Sequence, residues 1–286
     1  MKNFSILTDS CCDLSAELVQ ELELGIAPLS VEMDGASFPE GTMPPKELYD
    51  HLRAGKMPKT AAVNPEGWEK LMKAALEAGQ DVLAIAFSSG LSATYQSAVI
   101  AAEELREKYP QRKILVVDSF CAAIGQGLLV YRAAKLRDAG EDIESVCSWV
   151  MENRKKVIHW VTVEDLMHLK RGGRVSATTA VVGTMLGIKP IIRVDDDGKL
   201  DTVAKCRGRK AALNYLLDKM VEQGNPEMND TVFIGHGDCL EDAEYLAQQI
   251  QEKCGVKHVI ISYVGAVIGS HTGPGVVVLG FFGSER

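Results

Sequence analysis

Short apolar runs alternate with longer segments of helical periodicity in the first half of the chain. The runs at 4–7, 82–87 and 113–117 each precede a segment in which apolar positions recur every three or four residues. This alternation is typical of β–α units around a parallel sheet. We therefore predict an N-terminal α/β domain with a parallel sheet over residues 1–156.

The second half of the chain has a different pattern. Two strand-like runs flank the sequence DDDG at 195–198, which predicts a hairpin. Helical and strand-like segments then alternate again, so we predict a second α/β domain with a mixed sheet over residues 157–286. The segments are helices at 209–223 and 240–253 and strands at 231–234 and 258–264.

Net charge and sequence motifs argue against two classes of ligand, nucleic acids and nucleotides. The chain has 286 residues and a net charge of −8, so it offers no general basic field for nucleic acid. It contains neither a Walker-type phosphate loop nor a dinucleotide-binding glycine motif. We therefore expect no nucleic-acid partner and no nucleotide cofactor.

Cysteines and apolar segments indicate the cellular compartment. The seven cysteines include no C-x-x-C pair and no Cys/His spacing that suits zinc. No segment reaches the roughly 18 apolar residues of a membrane span, and the N-terminus lacks a signal pattern. We expect a cytoplasmic protein with reduced thiols, no metal site and no integral membrane segment.

The stretch FSSGLSATYQSA at 87–98 lies between a strand-like run and a predicted helix. Small residues let a backbone approach a ligand closely, and the start of a helix offers unpaired N–H groups, so the turn suits an anionic head group. A simpler reading is that Ser92 or Thr94 only caps the helix. A third is that Ser92 is a nucleophile on a strand–helix elbow, although Thr94 stands where that motif has glycine.

Three other segments carry candidate residues. His271 stands in GSHTGPG, which we interpret as a rigid turn. There it could bind a carboxylate, complete a triad with Ser92, or form only local hydrogen bonds.

Arg174 follows a helix predicted to end at Gly172, before a second one capped by Ser176, and could face an anion or a partner. Arg207 belongs to a basic cluster at a helix start, which suits a phosphate, a protein partner or solvent.

The segment at 39–67 carries five prolines and three glycines. This composition predicts a surface segment at one edge of the sheet, around a short helix at 46–53. We expect it to act as a lid or as a wall of the site.

Several motifs in order along the chain resemble the DegV family. They span essentially the whole sequence and include TDSCCDLS, KTAAVNP, SSGLSATYQSA, VVDS, LKRGGRVS, GIKPII, KCRGRKAA and SHTGPGVVVLGF. The resemblance implies a two-domain α/β protein that binds one long-chain fatty acid in an apolar tunnel. It also implies a non-catalytic carrier that presents the acid to a separate, ATP-binding fatty acid kinase subunit, with no cofactor of its own.

The resemblance also assigns roles to individual residues. It places the carboxylate on Thr60 and Ser92 with His271 beside them, and it places Arg174 and Arg207 near the mouth or at the kinase-docking face. The sequence departs from the family pattern at Ala93 and at Ala61-Ala62, and these changes leave both hydroxyls in place. Two alternatives stay open: a serine hydrolase or acyltransferase that uses Ser92 and His271, and a sensor of small anions.

Overall fold

A parallel four-stranded sheet organises the N-terminal half of the protein. The computed structural model describes residues 4–164, 166–175 and 187–286. The four strands follow the order β2-β1-β6-β7, so that β6 has a parallel neighbour on each side. The predicted parallel sheet is therefore confirmed. Its strands are β1 (Phe4–Asp9), β2 (Leu24–Ala27), β6 (Asp81–Ala86) and β7 (Ile114–Asp118).

A mixed six-stranded sheet organises the C-terminal half. Its order is β10-β9-β8-β13-β11-β12, and only β11 and β12 are parallel to each other among these neighbours. The predicted mixed sheet is thus confirmed, while the division of the chain into domains at 156/157, just before β8, stays a prediction. The strands are β8 (Val157–Thr162), β9 (Ile188–Val194), β10 (Leu200–Arg207), β11 (Thr231–His236), β12 (His258–Tyr263) and β13 (Val277–Phe282).

Helices cover the sheets and connect their strands. Those of the N-terminal half are α1 (Ala16–Glu21), α2 (Pro45–Arg53), α3 (Pro65–Glu77), α4 (Thr94–Lys108), α5 (Ala123–Asp138) and α6 (Ile143–Asn153). Those of the C-terminal half are α7 (Met167–Arg171), α8 (Arg209–Gln223), α9 (Leu240–Cys254) and α10 (Ala266–Thr272).

The Pro- and Gly-rich segment connects the two halves of the molecule. It includes the predicted short helix, as α2, and contributes to a small antiparallel sheet in which β3 (Ser30–Met33) lies between β4 (Ala36–Pro39) and β5 (Lys59–Ala61). The helix buries Leu48 and Tyr49 completely. The Tyr49 hydroxyl donates a hydrogen bond to the Val264 carbonyl at 2.8 Å. The segment is therefore a packed element, and not only a surface loop.

The predicted rigid turn around His271 is wrong, because this residue lies in the last turn of α10. The helix has only seven residues, and almost all of them are buried. A short helix that is buried on every face shows no amphipathic period in the sequence. Gly273, at φ 78°, ends the helix and supplies the glycine signal that suggested a turn.

The predicted hairpin is confirmed. It packs onto the serine-rich turn, residues 87–93, of the N-terminal half. It joins β9 to β10 through a turn in which Gly198 has a φ of 71°. The Ser88 hydroxyl donates a hydrogen bond to the Gly198 carbonyl at 2.8 Å and accepts one from the Gly90 N–H at 3.2 Å. Ser88 is fully buried, so its hydroxyl fixes the contact between the hairpin and the turn.

This contact predicts a stability cost for Ser88→Ala. The substitution leaves the Gly198 carbonyl without its donor in a buried place, which costs about 1–3 kcal/mol of unfolding free energy. Ser148→Ala, on the exposed face of α6, is the control and should change stability by less than about 0.5 kcal/mol. Urea denaturation of both variants measures the difference, and equal stabilities would contradict the role given to Ser88.

Candidate functional site: a cavity between the two sheets

An apolar cavity lies between the N-terminal and C-terminal halves. Its volume is about 250 Å³, whereas one water molecule needs roughly 10–15 Å³, so the cavity has the size of a ligand site. Most of its lining is aliphatic or aromatic, and no acidic side chain among the described residues lines it. The apolar lining residues are Leu29, Ala62, Phe87, Leu91, Ala93, Ala122, Ala123, Val161, Leu169, Ile192, Val194, Leu200, Val267, Ile268 and Val278.

Three of the six polar lining residues lie where the cavity adjoins the surface. Thr60, Arg174 and His271 also border a surface cleft of about 430 Å³. Arg174 borders a second surface cleft as well. Ser92 lines the cavity with them. The structure thus brings four of the five predicted site residues together at one mouth.

The serine-rich turn places Ser92 at this mouth. The turn follows β6, and the N–H groups of Leu91 and Ser92 both donate to the Ser88 carbonyl at 3.1 Å. The Ser92 hydroxyl accepts a hydrogen bond from the Thr94 N–H at 3.2 Å and lies 2.9 Å from the Thr94 hydroxyl. The capping interpretation is therefore correct in part, because Ser92 satisfies one N–H group at the start of α4.

Thr60 and His271 form the other side of the mouth. The Thr60 hydroxyl oxygen lies 2.7 Å from Nε2 of His271, although 211 positions separate the two residues in the sequence. The imidazole ring packs against Gly172, where any Cβ would overlap it. Burial, followed by the nearby charge of Arg174, lowers the pKa of His271 to about 4. The ring is therefore neutral at pH 7, with one nitrogen as donor and the other as acceptor.

Arg174 carries the positive charge of the mouth. It follows helix α7, which ends at Gly172 as predicted, whereas the second helix predicted from Ser176 lies outside the described residues. Its guanidinium donates two hydrogen bonds to the Leu91 carbonyl, at 3.2 and 3.3 Å. A cation is thus attached to the serine-rich turn and faces the surface clefts.

Arg207 does not lie with the other predicted residues. It is exposed at the end of β10 and does not line the cavity or either cleft at the mouth. Its predicted contact with a partner stays a prediction.

The sequence analysis missed a second histidine in the cavity. His159 is 1% exposed, lies on β8 and lines the cavity beside Val161. Burial and the charge of Arg286 lower its pKa well below the usual value, so it is neutral. Its place in the apolar run VIHWVTV was the available signal, because alternate residues of a strand face the same side.

Three buried carboxyl groups support the two sides of the mouth and were also missed. Asp9 accepts a hydrogen bond from the Phe87 N–H at 2.7 Å, at the start of the serine-rich turn. Asp13 and Glu40 accept from the N–H groups of Gly265 and Val267, at 3.0 and 2.9 Å, at the start of α10. The turn that carries Ser92 and the helix that carries His271 are therefore both held by carboxyl oxygens.

The carboxyl groups of Asp13 and Glu40 ionise less readily than carboxyl groups in water. One oxygen of each carboxyl group is buried without a hydrogen-bond partner. Burial raises the pKa of both groups, and the Glu40 charge raises that of Asp13 further. Two neighbouring carboxylates with little access to solvent are costly to ionise together, so the neutral form of each group is favoured relative to water.

The geometry of the mouth favours recognition over nucleophilic catalysis. A serine nucleophile needs a hydrogen bond to its general base. Here Nε2 of His271 contacts Thr60, while the Ser92 hydroxyl contacts Thr94.

The described residues contain no cluster of His, Cys, Asp and Glu suited to a metal ion, and none of their helices is long and apolar enough to cross a membrane.

Comparison with known proteins identifies relatives along the whole chain. The DegV domain-containing protein CPE0026 of Clostridium perfringens is 43% identical, and the match covers 100% of this chain and 99% of that protein. The fatty-acid-binding DegV family protein of Thermus thermophilus is 30% identical, with a TM-score of 0.87 over 98% of this chain and 99% of that one. A stearic-acid-binding protein of Eubacterium ventriosum is 27% identical, with a TM-score of 0.87 over 97% of each chain.

The family model described as "Uncharacterised protein, DegV family" matches residues 3–283. The match includes both large sheets and every residue at the mouth of the cavity. The α/β fold with one parallel and one mixed sheet matches that of these structural relatives. The chain therefore belongs to the DegV family.

Proposed function

We propose that this protein binds one long-chain fatty acid, with the alkyl chain in the apolar cavity and the carboxylate at the mouth. The observation that carries the proposal is the division of one cavity into apolar walls and a polar open end, where Thr60, Ser92, Arg174 and His271 converge. Amphiphilic ligands with a single anionic head group fit such a cavity. The fatty-acid-binding relatives from Thermus thermophilus and Eubacterium ventriosum support this ligand class.

The hydroxyl groups are arranged to donate to a carboxylate. When the His271 Nε2 carries the proton, it donates to the Thr60 oxygen at 2.7 Å, and the Thr60 proton is available for the ligand. On the other side, the Thr94 N–H already donates to the Ser92 oxygen. When the Thr94 hydroxyl also donates to the Ser92 oxygen at 2.9 Å, both hydroxyl groups have oxygen lone pairs occupied by the protein and a proton to offer to the anion.

Charge at the mouth lowers the cost of binding the anion. The guanidinium of Arg174 lines the cavity, and Lys59 and Arg171 border the adjoining cleft. No acidic side chain among the described residues borders that cleft. A carboxylate placed there stays partly in contact with solvent. It therefore does not have to be buried without hydrogen-bond partners.

The apolar chain supplies most of the affinity. Burial of a methylene group contributes about 0.8 kcal/mol, so a chain of about 14 methylenes contributes about 11 kcal/mol before entropic costs. Each head-group hydrogen bond contributes only about 1–3 kcal/mol net. The head group therefore sets orientation, with the carboxylate at the surface.

In this proposal the protein is a carrier and not the catalyst. The carboxylate lies at the open end beside a cationic cleft, where a second protein can reach it. A separate fatty acid kinase subunit with bound ATP then forms the acyl phosphate. The carrier acts in the cytoplasm and contributes binding and presentation only.

Mass spectrometry of freshly purified protein tests the proposal directly. We expect a native mass that exceeds the chain mass by one fatty acid, which is released on denaturation, because burial of the chain makes dissociation slow. Protein that is empty after purification and does not take up added palmitate would contradict the proposal.

Removal of one head-group hydroxyl should weaken binding of a fatty acid without abolishing it. Ser92→Ala should lower palmitate affinity about 5- to 30-fold, since one hydrogen bond to a charged group contributes about 1–2 kcal/mol. Affinity for hexadecan-1-ol, which lacks the carboxylate, should change much less. Ser97→Ala, on α4 but outside the cavity lining, is the control in the same titration, and an equal loss for both ligands would contradict the head-group role.

Palmitate should raise the pKa of His271. In the free protein the pKa is lowered from 6.5 to about 4, so the neutral ring is favoured and its contribution to stability is lost as pH falls from about 6.5 to 4. A nearby carboxylate favours the imidazolium and opposes this shift. Histidine NMR titration with and without palmitate measures the change, and an unchanged pKa would place the carboxylate away from His271.

A further inference from the structure

Asp9 is a buried carboxyl group that holds the serine-rich turn but does not line the cavity. It is 0% exposed and stands at the carboxyl end of β1. One of its oxygens accepts a hydrogen bond from the Phe87 N–H at 2.7 Å, and the other accepts from the Cys11 N–H at 3.1 Å. The bond to Phe87 crosses from β1 to the first residue after the neighbouring strand β6.

Asp118 makes the corresponding contact from the opposite side of β6. It stands at the carboxyl end of β7 and is 5% exposed. Its Oδ1 accepts hydrogen bonds from the N–H groups of Ser89 and Phe120, at 3.2 and 3.0 Å. Asp118 also does not line the cavity.

The two carboxyl groups thus hold residues on both sides of Ser88. The Ser88 N–H donates to the Cys121 carbonyl, and the Ser88 carbonyl accepts from the Ser92 N–H, both at 3.1 Å. A shift of Phe87 or Ser89 would therefore move Ser88 and, through it, the backbone of Ser92. The position of the Ser92 hydroxyl depends on two side chains that it does not touch.

Such carboxyl groups are costly to bury, and this cost argues for a specific role. Burial raises the pKa of Asp9 to about 7, although hydrogen bonds from Phe87, Gln126 and Cys11 oppose the shift. Cys11, Cys12, Asp13 and Glu40 are the titratable groups around it, and none is a cation. Asp9 is therefore stabilised by hydrogen bonds from backbone N–H groups and from the Gln126 side chain, and not by an ion pair, and such bonds are strong where the dielectric constant is low.

We propose that Asp9 and Asp118 are positioning residues for head-group recognition, which fix the serine-rich turn so that Ser92 meets the ligand carboxylate. The inference rests on the proposed function. It concerns two residues that contact neither the alkyl chain nor the head group. An amide in place of Asp9 would offer one acceptor oxygen and turn an NH₂ group toward the second N–H donor.

A double-mutant cycle with Ser92 tests the proposal. Asp9→Asn should lower palmitate affinity about 5- to 30-fold, as Ser92→Ala does, with a much smaller effect on hexadecan-1-ol. The double variant Asp9→Asn/Ser92→Ala should bind palmitate about as well as Ser92→Ala alone, because the position of a missing hydroxyl no longer matters. Losses that add up, or that are equal for both ligands, would overturn the proposal.

Two further variants separate positioning from folding. Asp118→Ala should reproduce the palmitate-selective loss, because one oxygen of Asp118 accepts both N–H groups and only removal of that oxygen breaks them, and this variant keeps the test valid if Asp9→Asn does not fold. Asp81→Asn is the matched control. Asp81 accepts the Lys113 N–H at 3.0 Å at the start of β6, the end of this strand that is remote from the serine-rich turn. This variant should leave palmitate affinity unchanged. An equal loss in Asp81→Asn would indicate a general structural effect and overturn the proposal.

Failure of this inference differs from failure of the proposed function. If wild-type protein binds no palmitate, the proposed function is wrong. If wild-type protein binds palmitate and Ser92→Ala weakens binding, but folded Asp9→Asn and Asp118→Ala retain full affinity, only the positioning role is wrong.

Discussion

The polar mouth of the cavity depends on buried carboxyl oxygens that accept backbone N–H groups. Asp9 holds the first residue of the serine-rich turn, while Asp13 and Glu40 hold the start of α10. The first of these elements carries Ser92, and the second carries His271. Asp13 also reaches from the N-terminal half to Gly265 in the C-terminal half, so the same interactions that shape the mouth join the two halves.

In the proposed complex, one set of groups supplies the affinity for the alkyl chain and another set recognises the head group. The walls of the cavity are apolar and non-directional, and they favour any long alkyl chain. In the proposed complex, the orientation of the ligand is set by two hydroxyl groups, a neutral imidazole and one guanidinium at the open end. Since His271 contacts Thr60 and not Ser92, the role proposed for these polar groups is to bind an oxygen anion and not to activate a serine.

The regular elements could be predicted from the sequence because their patterns are local. The β–α alternation gave the parallel sheet, and DDDG between two apolar runs gave the hairpin that Ser88 contacts. The small sheet of β3, β4 and β5 was missed, because its strands have only three or four residues and Ser30 pairs with Ala61 far along the chain. The helix α10 was mistaken for a turn, because it is short and buried on all sides.

The site was predictable only in part. Ser92 follows from the turn itself, whereas the meeting of Thr60 with His271 depends on tertiary structure and entered only through the family resemblance. Asp9, Asp13 and Glu40 could not be found, because acidic residues are mostly exposed and a sequence does not show which of them are buried. His159 was visible as a polar residue in an apolar strand, but nothing in the sequence placed that strand beside a cavity.

A crystal structure of the protein with bound palmitate tests the central claim most directly. We expect the alkyl chain inside the cavity and the carboxylate oxygens about 2.5–2.7 Å from the hydroxyl oxygens of Thr60 and Ser92, the usual distance for a hydroxyl–carboxylate hydrogen bond. A ligand in the reverse orientation, with its carboxylate near His159, or a ligand bound outside the cavity, would contradict it.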